Sequence, residues 1–167
     1  MTSTISDISN TIDKYLHNLG LLVITYSDME NWMKGFASHL INPKDDTGRI
    51  LTGDMPFKPL REKLMSLYRE KQNDSALVER FEILLKKIDG LATRRNDMIH
   101  SVWHFTPLIK PDQLAVWVKA SAKFKGFKVE KIPTKTTDID ELTKEIDQAS
   151  KGLIGFILNW QDSTIVI

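Results

Sequence analysis

Arg94-Arg95-Asn96-Asp97-Met98-Ile99-His100 is the stretch of this chain whose residue types can do chemistry together. At about 100° per residue, Phe81, Leu84, Ile88, Leu91, Met98 and Val102 all fall within roughly 60° of Arg95, because they recur at spacings of three and four. Arg95 therefore occupies the middle of an apolar stripe. A guanidinium stays charged, and burying one is costly unless an anion or a strong acceptor meets it. Its planar fork of donors fits a phosphate. Asn96 and His100, four apart, stack on one flank of the same helix, and histidine moves protons near neutral pH. A phosphate ligand, an amide and an imidazole thus share a turn and a half of helix, which suits phosphate recognition beside proton transfer.

The helix that carries this stretch is predicted from about Ser75 to Trp103, with an N-cap in Asn73-Asp74-Ser75 and Gly90 one turn before the arginines. Ahead of it, Ile5, Ile8, Ile12, Tyr15 and Leu19 predict an amphipathic helix that Gly20 breaks or bends. Tyr26, Met29, Trp32, Met33, Phe36 and Leu40 then predict a core helix up to Asn42-Pro43. Residues 42–59 hold three prolines and show no helical period, which predicts a long loop. Leu60, Leu64, Leu67 and Tyr68 mark a short basic helix.

After His104 the period changes. Short aromatic or β-branched runs across 105–132, bounded by Pro107, Pro111-Asp112 and Gly126, predict a small hairpin or meander inserted before the last helix. Lys119, Lys123, Lys125 and Lys128, interleaved with Trp117, Phe124 and Phe127, make it the best candidate for a nucleic-acid-facing surface. The alternative is an exposed hairpin whose lysines guard its edge. Ile139, Leu142, Ile146, Ala149, Leu153, Phe156 and Trp160 predict a closing helix capped at Thr137 or Asp138. The apolar tail Thr164-Ile165-Val166-Ile167 is expected to pack, on the chain itself or on a partner.

The totals describe one domain over 1–167, with 167 residues, 41% hydrophobic and a net charge of +1, so any nucleic-acid surface must be a local patch. Absence of cysteine excludes disulfides, thiolate zinc sites and cysteine nucleophiles. No run of about 18 apolar residues and no signal-peptide pattern are present, so no membrane contact and a cytoplasmic location are expected. His100 and His104, four apart with Asp97 one turn earlier, have a metal-like spacing, yet Ser101 stands where a zincin-like helix carries glutamate. No metal and no cofactor are expected.

Arg95-Asn96, followed by three residues and His100, resembles the motif of HEPN domains, in which an arginine followed at once by a polar residue is separated from a histidine by four to six residues on a late helix. The resemblance implies a mainly α fold, an up-and-down helical bundle with the β insertion added. It implies a metal-independent endoribonuclease, a toxin or defence effector, in which the RNA 2′-hydroxyl attacks the adjacent phosphate. Arg95, Asn96 and His100 would be the catalytic residues, with Arg94, His104 and the hairpin lysines touching RNA. One motif supplies one histidine, so the resemblance also implies a homodimer that pairs two motifs at a composite site. An antitoxin or regulatory protein is a further implied partner. No tyrosine follows Tyr68, so the tyrosine-modifying type of antitoxin has no target here. Two other readings of the same residues stand beside this one: a non-catalytic module that binds RNA or a protein, and an Arg95 paired internally with Asp28 or Glu30.

Overall fold

The computed structural model describes residues 5–105, 115–123 and 126–164, with side chains over 9–103 and 132–160. It is mainly helical. The order is α1 (Ile5–Ile41), α2 (Thr47–Thr52), α3 (Phe57–Lys71), α4 (Ser75–Ile99), β1 (Val102–Phe105), β2 (Ala115–Lys123), β3 (Gly126–Thr134) and α5 (Thr136–Thr164). No helix among the described residues is long and apolar enough to cross a membrane. The chain divides into two compact units, Met1–Ile24 with Ala92–Lys144, and Thr25–Leu91 with Glu145–Ile167.

In the first unit the three strands form an antiparallel meander in the order β1-β2-β3. Trp103 pairs with Trp117 and Trp117 with Ile132, and the long hairpin ends where Lys123 pairs with Gly126. The meander lies before the last helix as expected, but begins at Val102, ahead of the expected 105. Tyr15, Leu22, Ile139, Leu142 and Thr134 are each at most 2% exposed and form the core of this unit. The start of α5 departs from the expected cap. Asp138 is the third helical residue, and its Oδ2 accepts the Lys135 N–H at 2.7 Å, so it supplies the acid half of a capping box with Lys135 as the cap position. Asn18 Nδ2 reaches the Thr136 carbonyl at 3.0 Å.

In the second unit Tyr26, Met29, Met33, Phe36 and Leu40 of α1 are buried, as are Leu60, Leu64 and Tyr68 of α3, Phe81, Leu85 and Ile88 of α4, and Ile146 and Leu153 of α5. Their spacing of three and four puts each set on one helix face. Phe36 meets Phe81 edge to face at 5.9 Å, a favoured aromatic geometry. At the surface Arg61 pairs with Asp89 at 2.5 Å and Arg69 with Glu82 at 2.6 Å.

Two expectations are corrected here. Of the break or bend expected at Gly20, the break does not occur: α1 runs as one helix of 37 residues. A glycine in mid-helix costs about 1 kcal/mol, and the buried positions Tyr15, Leu22, Tyr26 and Met29 on both sides of it outweigh that. The stretch 42–59 is not a bare loop either, since it contains α2 and the first residues of α3. A helix of 6 residues is too short to display a period. It is made by local hydrogen bonding: Asp45 Oδ1 accepts the Thr47 N–H at 2.9 Å, and Asn42 Nδ2 donates to Asp45 Oδ2 at 2.8 Å. The bonds from the Thr47 backbone and side chain hold the Asp45 carboxyl below its ordinary pKa. Lys34 Nζ then reaches the Gly53 carbonyl at 2.8 Å.

Close approach of α2 to α1 depends on Gly48. A Cβ there would lie 2.5 Å from the Ser38 carbonyl oxygen and 2.6 Å from Ser38 Cα, both backbone atoms. Gly48→Ala is therefore expected to destabilise the protein by about 1–3 kcal/mol, seen as a lower urea midpoint. An unchanged midpoint would mean that α2 shifts off α1 without cost.

Candidate functional site

Helix α4 starts where Asp74 Oδ1 accepts the N–H groups of Ala76 at 2.8 Å and Leu77 at 3.3 Å. Its buried face steps through Phe81, Leu85, Ile88 and Ala92. Arg95, one turn further, is half-buried, while Arg94, Asn96 and His100 are exposed. The Arg95 Nε is buried and its Nη1 donates to Asn96 Oδ1 at 2.9 Å. The backbone carbonyl of Asn96 accepts the His100 N–H at 3.0 Å. Asn96 thus holds the guanidinium through its side chain and the histidine through its backbone. Its amide oxygen orients Arg95 rather than His100, and its NH2 group remains a donor of the kind a phosphate oxygen accepts.

The end of this helix differs from the expectation. It stops at Ile99, not at Trp103. Ser101 Oγ donates to the Asp97 carbonyl and Trp103 Nε1 to the Met98 carbonyl at 2.9 Å, so two terminal carbonyls are satisfied by side chains instead of by further helix. Val102, expected on the apolar stripe, is 61% exposed. The Trp103 ring lies 6.3 Å from that of Tyr15, and the Tyr15 hydroxyl donates to the Thr134 carbonyl at 2.6 Å. The end of α4, the start of β1, α1 and the end of β3 are fastened together by these contacts.

His104 sits on β1 with Val116 as its Cα partner, so the helical four-residue relation to His100 that a metal pair needs is not formed. Among the described residues no three histidine or acidic side chains are grouped as metal ligands. Glu30, one of the acids considered for Arg95, lies 4.0 Å from Lys34 on its own helix.

Lys119 pairs with Glu130, Ser121 with Lys128 and Lys123 with Gly126. Alternation along a strand places Lys119, Lys123 and Lys128 at positions of one sheet face. Strand β1 reaches only from Val102 opposite Val118 to Phe105 opposite Ala115. The hairpin beyond Val118 therefore runs on past the start of β1, on the side where α4 ends. Lys125 and Phe124 lie outside the described residues, as do 106–114 and the last three residues of the tail.

Comparison with protein-family models, with curated proteins and with solved structures finds no match to this chain. Tyr15 and Trp103 are the residues that sequence reasoning undervalued, since it placed Tyr15 on an apolar stripe and Trp103 only at the end of the predicted helix. The available signal was the polar atom each carries, because a buried phenol or indole N–H takes a partner.

Trp103→Phe keeps a ring beside Tyr15 but removes the donor to Met98. Loss of one hydrogen bond of about 1 kcal/mol should raise amide exchange at His100 roughly fivefold, with no change at Phe81 to Ile88. Equal acceleration at both places would show that the indole does not hold the helix end.

Proposed function

We propose that this chain is a HEPN-like, metal-independent endoribonuclease built on a helical bundle, with Arg95, Asn96 and His100 as its catalytic residues. The observation that carries the reading is their arrangement: a half-buried guanidinium whose fork is oriented by Asn96, five residues from an exposed histidine just past the helix end. His100 takes the proton of the RNA 2′-hydroxyl as its oxygen attacks the adjacent phosphorus. Arg95 steadies the phosphoryl oxygens, and the bond to the 5′-oxygen breaks as that oxygen receives a proton. The products are a 2′,3′-cyclic phosphate and a 5′-hydroxyl. The second proton transfer falls to His100 of an identical chain, so the site is complete only in a homodimer. Lys119, Lys123 and Lys128 on one sheet face support an RNA path leading to the end of α4. In a toxin or defence setting an antitoxin or regulatory protein would restrain the activity.

That lysine face, taken alone, favours a second reading in which the chain holds RNA without cutting it. The two are separated by incubating a mixed RNA pool with the full chain in excess EDTA and analysing the new ends. Cyclic phosphate ends are expected from the wild type. His100→Ala, an exposed position, should fold normally and lose at least about a hundredfold in rate. Arg95→Lys keeps the charge but not the paired donors, and should lose roughly tenfold or more. Undiminished cleavage by folded His100→Ala would sink the assignment. Salt-sensitive binding with no products from the wild type would favour the second reading.

A further inference from the structure

Helices α1 and α2 enclose a cleft within the second unit. Two cavities, of about 600 Å³ and about 520 Å³, share Trp32, Gly35 and Arg49 in their linings and so adjoin one another around Arg49. Each lies within the about 300–1,000 Å³ typical of small-molecule sites. Asp28, Asn31, Trp32 and Gly35 supply the α1 wall of the first, because spacings of three and four put them on one helix face. Buried Phe36 and Ile157 line the second. The backbone around Arg49 is fastened to α1: the Arg49 carbonyl accepts the Gly53 N–H at 2.8 Å, and the Gly53 carbonyl accepts Lys34 Nζ at 2.8 Å.

Lys34 is thereby spent, and Thr52 Oγ1 is spent on the Gly48 carbonyl at 2.8 Å. The other polar groups of the first cavity differ. The Arg49 guanidinium, the Asp28 carboxylate and the Asn31 amide have no hydrogen-bond or ion-pair partner among the described residues. Opposite charges thus line one cavity without pairing with each other. Trp32, expected in the core, is 42% exposed and lines both cavities. A Cβ on Gly35 would meet nothing within 4 Å. Packing does not require glycine there, and helix propensity opposes it. What the missing side chain leaves is room beside Trp32 and Arg49.

From these features we infer that the cleft binds a free α-amino acid with an aromatic or aliphatic side chain. Arg49 takes the carboxylate through its paired donors, Asp28 takes the ammonium, and the Asn31 amide, donor and acceptor at once, bonds to either group. The ligand's side chain covers the Trp32 ring and extends toward Phe36 and Ile157. A simple anion would face Asp28, and a simple cation would face Arg49. A neutral apolar molecule would draw both charges out of water without a partner. A ligand that carries both charges beside an apolar group uses every one of these side chains. The inference does not rest on the reaction proposed for α4: a chain that cuts no RNA still binds the amino acid here.

The test is calorimetric titration of the full chain with L-phenylalanine, L-leucine, glycine, phenylpropionate, which lacks the ammonium, and phenethylamine, which lacks the carboxylate. Saturable binding of phenylalanine or leucine is expected, roughly tenfold tighter than that of each of the other three. Asp28→Asn should weaken phenylalanine roughly tenfold and leave phenylpropionate unchanged, whereas Arg49→Gln should weaken phenylalanine and leave phenethylamine unchanged. Gly35→Leu should fill the cleft and abolish binding without lowering the thermal midpoint. No saturable binding of either amino acid overturns the inference, as does binding that Gly35→Leu leaves intact. Phenylpropionate bound as tightly as phenylalanine would mean a plain anion site and overturns it too. Should Gly35→Leu fail to fold, exposed Asp28→Asn and Arg49→Gln decide, and an unchanged phenylalanine affinity in either overturns the proposal.

Discussion

The carbonyl groups at the end of α4 need donors, and where they find them determines where the stretch from Arg94 to His100 lies. A helix leaves its last carbonyls without partners of its own. Here the Met98 carbonyl takes the indole N–H of Trp103, and the Asp97 carbonyl takes the hydroxyl of Ser101. Trp103 belongs to β1, so the strand that follows the helix also closes it. Its ring is set beside buried Tyr15, whose hydroxyl is spent on the carbonyl of Thr134 at the end of β3. Remove that phenolic bond and a buried carbonyl at the base of the sheet loses its donor, which costs about 1–3 kcal/mol. The helix end, the meander and the first turn of α5 would all feel it, because Thr134 directly precedes the residues that cap α5.

Arg95 is tolerated in an apolar stripe because only part of it is hidden. Long basic side chains bury their stems and keep their heads near polar partners. The buried Nε and the Nη1 bond to Asn96 are the two ends of that compromise. A lysine would also place its stem there, but its ammonium lacks the planar fork of donors that the guanidinium presents to Asn96. Asn96 is accordingly a positioning group for the arginine in this structure, and the amide is matched to that task by being neutral. An aspartate would hold the guanidinium more strongly but cancel its charge.

How much of this was readable in the chain depends on the range of the interactions involved. The relation among Arg95, Asn96 and His100 is local, set by helix geometry over five positions, and the sequence pattern shows it. The meander was legible through its β-branched runs and Gly126, and α5 through its long stripe to Trp160. The end of α4 was not, because periodicity continues through Val102 and the stop comes from the Trp103 indole and the pairing of Val102 with Val118. Helix α2 was hidden for another reason. Its formation rests on Asp45 and on a glycine that fits against Ser38, neither of which leaves a periodic trace. The cleft beside Arg49 was equally silent, since Trp32 reads as an ordinary core position and Arg49 lies in a stretch without a period.

Electrostatics give the proposed dimer a reason beyond the need for a second proton donor. A helix C-terminus carries roughly half a negative charge, and Asp97 adds a full one in the same turn. Against these stand Arg94 and Arg95, so one copy of the helix end is only slightly positive in sum. That is a weak place for a phosphate diester, which sits more naturally at a helix N-terminus. Two copies set face to face would put four guanidinium groups around one phosphate while the two helix dipoles point apart into their own chains. At that end the backbone carbonyls of Asp97 and Met98 are engaged by Ser101 and Trp103. A phosphate-binding site on this end of a helix would therefore need either a second copy or another source of positive charge, and in the proposed reading the lysine positions of the β2–β3 hairpin, which runs past the start of β1 on that same side, would supply it.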